Sequence, residues 1–205
     1  MDNMRVSSSK SSARTPRRER GRLRVVALLD AAGAVFADKG FDSATMTEIA
    51  ARAGASIGSL YQFFPTKELL AEAIMARDTA VLMERLAAYE TAAPAWSPAD
   101  LADRLVPTLM EFRADHPAFA ILLEAIGGPA EQAAAAGRSV RARVRAILAA
   151  AAPGRPAALL DAAAVAVQQV MKGATAVKAE GDPNWPAALD ELKTMLRLYL
   201  ADRLG

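Results

Sequence analysis

Residues Ser56–Leu70 read SIGSLYQFFPTKELL, and this stretch decides the fold. It holds three of the nine Phe and Tyr residues of the chain, with Ser, Gly, Ser and Gln set between its apolar positions. A helix that only filled a core would not alternate in this way. Ser56 is placed to cap a short helix running to about Phe64, Pro65 ends it, and Thr66 caps a following helix that begins at Lys67 and reaches about Tyr89. Leu60 and Phe64 are four apart and point inward. Ser56, Ile57, Gly58, Ser59, Tyr61 and Gln62 are then left on an exposed side. Phe63 is either packed inward or presented as an apolar contact, and the competing reading of Tyr61, less favoured given its neighbours, is a core aromatic.

Working upstream, Thr45-Met46-Thr47-Glu48 has the pattern of a capping box, in which Thr45 satisfies the Glu48 amide and Glu48 reaches back to the Thr45 amide. A helix starting at about Met46 carries Ile49, Ala50 and Ala53 inward, and Gly54 breaks it. Before it, Leu23, Val26, Ala27, Leu28, Leu29, Ala34, Val35 and Phe36 fit an amphipathic helix closed by Lys39-Gly40. The two short helices around Gly54 have the spacing of a helix-turn-helix. Small Gly58 and Ser59 would let the second helix sink into a major groove, where the Ser56, Ser59, Tyr61 and Gln62 polar groups can meet phosphates or base edges.

The run from Leu23 to Leu70, centred on FDSATMTEIAARAGASIGSLYQFFPTKELL, closely resembles the DNA-binding domain of TetR/AcrR-type transcriptional regulators. The resemblance implies an all-α protein of about nine helices: an N-terminal three-helix head with a helix-turn-helix, and a C-terminal helical body for ligand binding and dimerisation. It also implies phosphate contacts from Thr45, Tyr61 and Lys67, and a base-selecting surface of Ser56, Ile57, Gly58, Ser59 and Gln62. Thr47 stands where many relatives have a basic residue and Phe63 where many have His or Tyr. Selectivity is therefore expected to rest on Gln62, the serine hydroxyls and Ile57 against a thymine methyl.

Composition agrees with a folded helical protein of 205 residues, 53% of them apolar, without cysteine. Disulfides, thiolate metal sites and a cysteine nucleophile are thereby excluded. No signal core or membrane-spanning run is visible, no nucleophile–base pair, phosphate loop or metal spacing stands out, and neither enzyme activity nor a cofactor is expected. Charge is uneven: residues 1–77 hold 12 Lys and Arg against 8 Asp and Glu, net +4, and residues 78–205 hold 13 against 15, net −2. The densest basic segment, Arg5 to Arg24, is either a solubilising tail or an arm that orders on nucleic-acid phosphates.

Downstream, helical patterns run from Ser97 or Pro98 to Asp115, Ala118 to Ile126, Glu131 to Ala152, Pro156 to Glu180 and Trp185 to Leu204, with breaks at His116-Pro117 and Gly127-Gly128-Pro129. By analogy with the family, the last two would pair with their symmetry mates through Leu159, Val167, Val170, Leu192, Met195, Leu196 and Tyr199, although ordinary intrachain core competes for these residues. An effector pocket is expected among Leu109, Phe112, His116, Phe119, Leu122, Val165, Gln168, Gln169 and Met171. Its few ionisable groups point to a small, largely apolar effector, and His116 could instead serve only its helix break.

The organisation read from the sequence is therefore a basic arm (1–20), a helix-turn-helix domain (21–66) and a ligand-binding, dimerising domain (67–205). It describes a cytoplasmic homodimer that binds a palindromic operator in double-stranded DNA and is released by an effector. The alternative is a helical small-molecule-binding or structural protein without specific DNA recognition.

Overall fold

The computed structural model describes residues 17–125, 130–181 and 183–205, with side chains from Glu19 onward. The described residues form nine α-helices and one 3-10 turn, with no strand. The proposed arm lies, up to residue 16, outside them. The first helix, α1 (Arg17–Ser43), begins six residues before Leu23. Leu23 and Val26, expected to face inward, are 57% and 45% exposed, and continuous burial starts at Leu28 and Leu29. The apolar pattern marks where a helix meets its core, not where hydrogen bonding starts. Gly40 interrupts α1 at φ 80°, the positive φ that the Lys39-Gly40 stop requires.

The head continues with α2 (Met46–Arg52) and α3 (Ile57–Phe63). Phe36, Ile49, Leu60 and Leu70 are fully buried there, each contributing roughly 1.5–3 kcal/mol. From the Thr66 cap, α4 (Lys67–Ala92) runs 26 residues, about 39 Å, enough to link the head to the far side of the body.

After the 3-10 turn Ala93–Ala95, Ser97 and Asp100 form a second capping box for α5 (Pro98–Asp115), which tolerates Pro107 in its interior. The His116-Pro117 break joins α5 to α6 (Pro117–Glu124). Ile126 and Gly127-Gly128-Pro129 lie outside the described residues. Then come α7 (Ala130–Ala151), α8 (Ala157–Ala179) and α9 (Trp185–Leu204). In the body α4 packs on α7, α5 on α8 and α9, and α6 lies across α1. No helix among the described residues is long and apolar enough to cross a membrane.

Candidate nucleic-acid interface and body cavity

The turn between α2 and α3 is built locally. Gly54 takes φ +61°, and the Ala55 amide donates to the Ala50 carbonyl at 3.0 Å, closing the turn behind α2. Ser56 caps α3 by accepting from the Ser59 amide at 3.2 Å. Of the seven residues of α3, Leu60 alone is buried. Ile57, Tyr61 and Phe63 are 40%, 48% and 39% exposed, and Gly58, Gln62 and Thr47 are exposed as well. Tyr61 is thus not a core aromatic. The alternative left open for Phe63 resolves outward, while Phe64 is half-buried against the core.

Three residues of the expected interface have other work. The Thr45 hydroxyl accepts from the Glu48 amide and gives its proton to the Glu48 carboxylate at 2.9 Å, so it is committed to the cap. Glu48 is itself paired with Lys39; that hydrogen bond first, and those from Thr45 next, hold its carboxyl below the ordinary 4.5. Ser59 is half-buried and its hydroxyl receives Arg24 Nη1 at 3.1 Å, which brings an α1 cation onto the α3 surface. Arg24 was visible only as one of many arginines in the basic segment.

Lys67 departs furthest from expectation. Its ammonium donates to the carbonyls of Phe41 at 2.7 Å, Asp42 at 3.0 Å and Ala44 at 3.2 Å, and sits 4.6 Å from the Phe41 ring centre. Three donors meet three acceptors. Lys67 fastens the segment between α1 and α2 to the start of α4, and no donor remains for a phosphate.

The body holds a cavity of about 290 Å³ between α4, α5, α6, α7 and α8. Of the expected lining, Leu109, Phe119 and Gln168 face it. Phe112, Leu122 and Met171 are instead fully buried in the packed core behind the wall, and Val165 and Gln169 point to the exterior of α8. The α8 stripe that reaches the cavity is Gln168, Lys172 and Thr175. A helix apolar on nearly all sides gives no phase, and the reading of α8 was rotated by roughly one residue. The α7 wall of Ala133, Ala136, Gly137 and Val140 was missed altogether, because small residues carry little hydrophobic signal. Gln168, 1% exposed, accepts from Arg141 Nε at 3.0 Å and donates to the Gly137 carbonyl at 2.7 Å, tying α8 to α7.

His116 does not reach the cavity; it stacks on Phe112 at 4.4 Å, and Phe112 meets cavity-lining Phe119 edge-on at 5.1 Å. His116 Nδ1 is 3.5 Å from the carboxylate of Asp78, which is 1% exposed on α4. Asp78 accepts from Arg77 Nε at 2.9 Å, and Arg77 Nη1 reaches Asp30 on α1 at 2.7 Å. A contiguous series of contacts therefore joins the cavity wall to the head.

Of the residues expected at a seam between copies, Val167 and Leu196 are buried within the protomer and are intrachain core. Leu159, Val170, Leu192 and Tyr199 are half-buried, whereas Met195 is 61% exposed and its unanticipated neighbour Leu198 is 69% exposed.

Residues 28–74 match the family model of bacterial regulatory proteins of the tetR family, and residues 97–200 match that of the tetracyclin repressor-like C-terminal domain. The A-factor receptor protein of Streptomyces griseus is 42% identical over 55 residues, covering 27% of this chain and 20% of that protein, so the chain matches a fifth of that relative's length. A TetR-like transcriptional regulator from Rhodococcus sp. RHA1 superposes with a TM-score of 0.63 at 25% identity, over 92% of this chain and 99% of that one. The regulator FadR from Bacillus subtilis, solved in complex with stearoyl-CoA, shares the fold at a TM-score of 0.64 and 17% identity, over 83% and 96% of the two chains.

Proposed function

The chain belongs to the TetR family of bacterial transcriptional regulators, and on that premise we propose that it is a homodimeric repressor released from a palindromic operator by a small, largely apolar effector. One observation carries the DNA half of this reading. On α3, Leu60 alone is buried while Ile57, Tyr61, Gln62 and Phe63 face outward on a helix anchored at its capped end. A seven-residue helix gains nothing from such exposure unless a partner surface covers it. Thr47, Ser56, Ile57, Gly58, Ser59, Tyr61, Gln62 and Phe63 form the contact face, with Arg24 as an added phosphate partner. Lys67 and Thr45 support that face from behind.

The exposed Met195 and Leu198, continued by Leu192, Tyr199, Leu159 and Val170, form the face that a second copy covers. Two such heads read half-sites about 34 Å apart. Effector in the cavity acts on Phe119, and the stacked rings pass any displacement to His116, Asp78, Arg77 and Asp30. Release then reflects unequal effector affinity for two head spacings.

The test is fluorescence anisotropy of the full chain on labelled DNA from its own promoter region against scrambled DNA of equal length, at several salt concentrations. Specific binding with a steep salt slope is expected. Equal affinity for both DNAs at moderate salt would leave a helical small-molecule binder as the surviving account.

A further inference from the structure

We propose that the body cavity takes a compact amphipathic anion, a medium-chain carboxylate, whose head group is held at the α8 edge by Lys172. The inference rests on the cavity being the effector site and names the chemistry of what enters it. At about 290 Å³ the cavity stands at the small end of ligand pockets. With ~30 Å³ for each non-hydrogen atom, as for a water in the liquid, it holds roughly ten. Leu82, Leu109, Phe119 and Val140 offer such a ligand an apolar bed.

The polar groups are not scattered. Gln168, Lys172 and Thr175 fall on one stripe of α8, and Arg113 with Glu124 lies at another part of the lining. Arg113 is paired with Glu124, so their charges cancel. Lys172 has no ion pair or hydrogen bond among the described residues, and the lining therefore carries one unmatched positive charge. Of the neighbouring polar groups, Gln168 adds a donor and Thr175 does not. Thr175 gives its proton to the Met171 carbonyl at 3.0 Å. Gln168 holds its oxygen on Arg141 and one amide proton on Gly137, leaving its second amide proton as a donor. The free donors at this edge are thus the Lys172 ammonium and one amide N–H, a set that fits a carboxylate and repels an ammonium. Lys172 itself is exposed and can turn to water, so an uncharged ligand suffers little penalty and the anion wins by what it gains.

Isothermal titration of the full chain with octanoate, 1-octanol and octylammonium tests the assignment. Octanoate should bind about tenfold more tightly than octanol, the factor supplied by one partly desolvated charge-assisted hydrogen bond, and octylammonium should bind least. Lys172→Met should remove the octanoate advantage without weakening octanol, and Lys172→Glu should invert the order. Leu109→Trp, which fills the cavity, should abolish binding of both. Equal octanoate and octanol affinity in the unsubstituted protein would overturn the anion assignment while leaving the cavity as an apolar site. Octanoate binding that survives Leu109→Trp would place it on the surface and overturn the assignment too, as would no binding of octanoate at millimolar concentration. Binding in the expected order with operator affinity unchanged would uphold this inference and sink effector-controlled release instead.

Discussion

Replacing Lys67 by Met separates a scaffold lysine from a phosphate contact. The substitution keeps the apolar stem and removes the ammonium that bridges three carbonyls at 2.7, 3.0 and 3.2 Å. Each charge-assisted bond contributes about 1.5 kcal/mol, and immobilising a lysine side chain takes back up to ~2 kcal/mol. The ring contact with Phe41 adds ~0.5 kcal/mol. The net expectation is a loss of about 2–3 kcal/mol, or roughly 6 °C in Tm for a chain of this length. The second half of the experiment is the slope of log affinity against log salt on promoter DNA. A phosphate contact would contribute ~0.9 to that slope. We expect the unfolding transition to move and the slope to stay. A slope reduced by about one, with stability altered by less than ~0.5 kcal/mol, would refute the scaffold role and return Lys67 to the DNA face.

Four further outcomes follow from the same geometry. Tyr61→Phe should leave stability within ~0.5 kcal/mol, because the ring is 48% exposed, and should weaken binding to all DNA sequences alike in anisotropy. Met195→Glu with Leu198→Glu should yield a folded monomer in sedimentation velocity, since both side chains project from the protomer. Asp78→Ala should cost about 3 kcal/mol in urea unfolding, at the low end for a broken buried pair because Arg77 keeps Asp30. Glu48 has a folded pKa depressed below its ordinary 4.5, so its stabilising effect is fully present above that value and lost as pH falls through the folded pKa. The stability difference between the unsubstituted protein and Glu48→Gln should therefore shrink on acidification below about pH 4.5 and hold constant from pH 5.5 to 7.

What could be read from the sequence was local. The Thr45–Glu48 box, the Ser56 and Thr66 caps and the Gly54 turn each depend on residues within five positions of one another, and each stands where the chain pattern put it. Leu60 followed from the same short range. The groups whose contacts the sequence did not reveal answer to distant partners. Lys67 bonds to carbonyls 23 to 26 positions earlier, and Arg24 reaches a hydroxyl 35 positions later. The family resemblance implied a DNA contact in the first case, and the basic segment suggested nothing definite in the second. On α8 the difficulty was phase: alanines and valines surround the helix, so Val165 and Gln169 could be drawn inward while Lys172 and Thr175, which line the cavity, were not singled out. Pro107 lies inside α5, where the helical pattern ending at Asp115 runs through it, and Leu105, Val106 and Phe112 on either side are buried.

Asp78 and Arg77 tie the head to the joint of α5 and α6. Burying a carboxylate is unfavourable, and an apolar residue packed in its place would often be the more stable choice. Its presence there argues for position over strength. Beside it, burial opposes the charge on Arg77, but the hydrogen bonds and charges of Asp78 and Asp30 more than restore it and raise its pKa above that of a free guanidinium. The arginine stays charged at any pH the cell meets, and it must keep both carboxylates within reach. Asp30 belongs to α1 and so to the head; Asp78 belongs to α4 and faces His116 at the joint of α5 and α6. Apolar packing tolerates small sliding with little change in energy. A hydrogen-bonded ion pair does not, since a shift of one ångström takes 2.9 Å beyond bonding distance. The joint is thus stiff in a direction in which the surrounding leucines are soft. Under the proposed function, a ligand that displaced Phe119 would be resisted at Asp78 until α4 moved with it, and α4 carries Lys67, which holds the segment between α1 and α2.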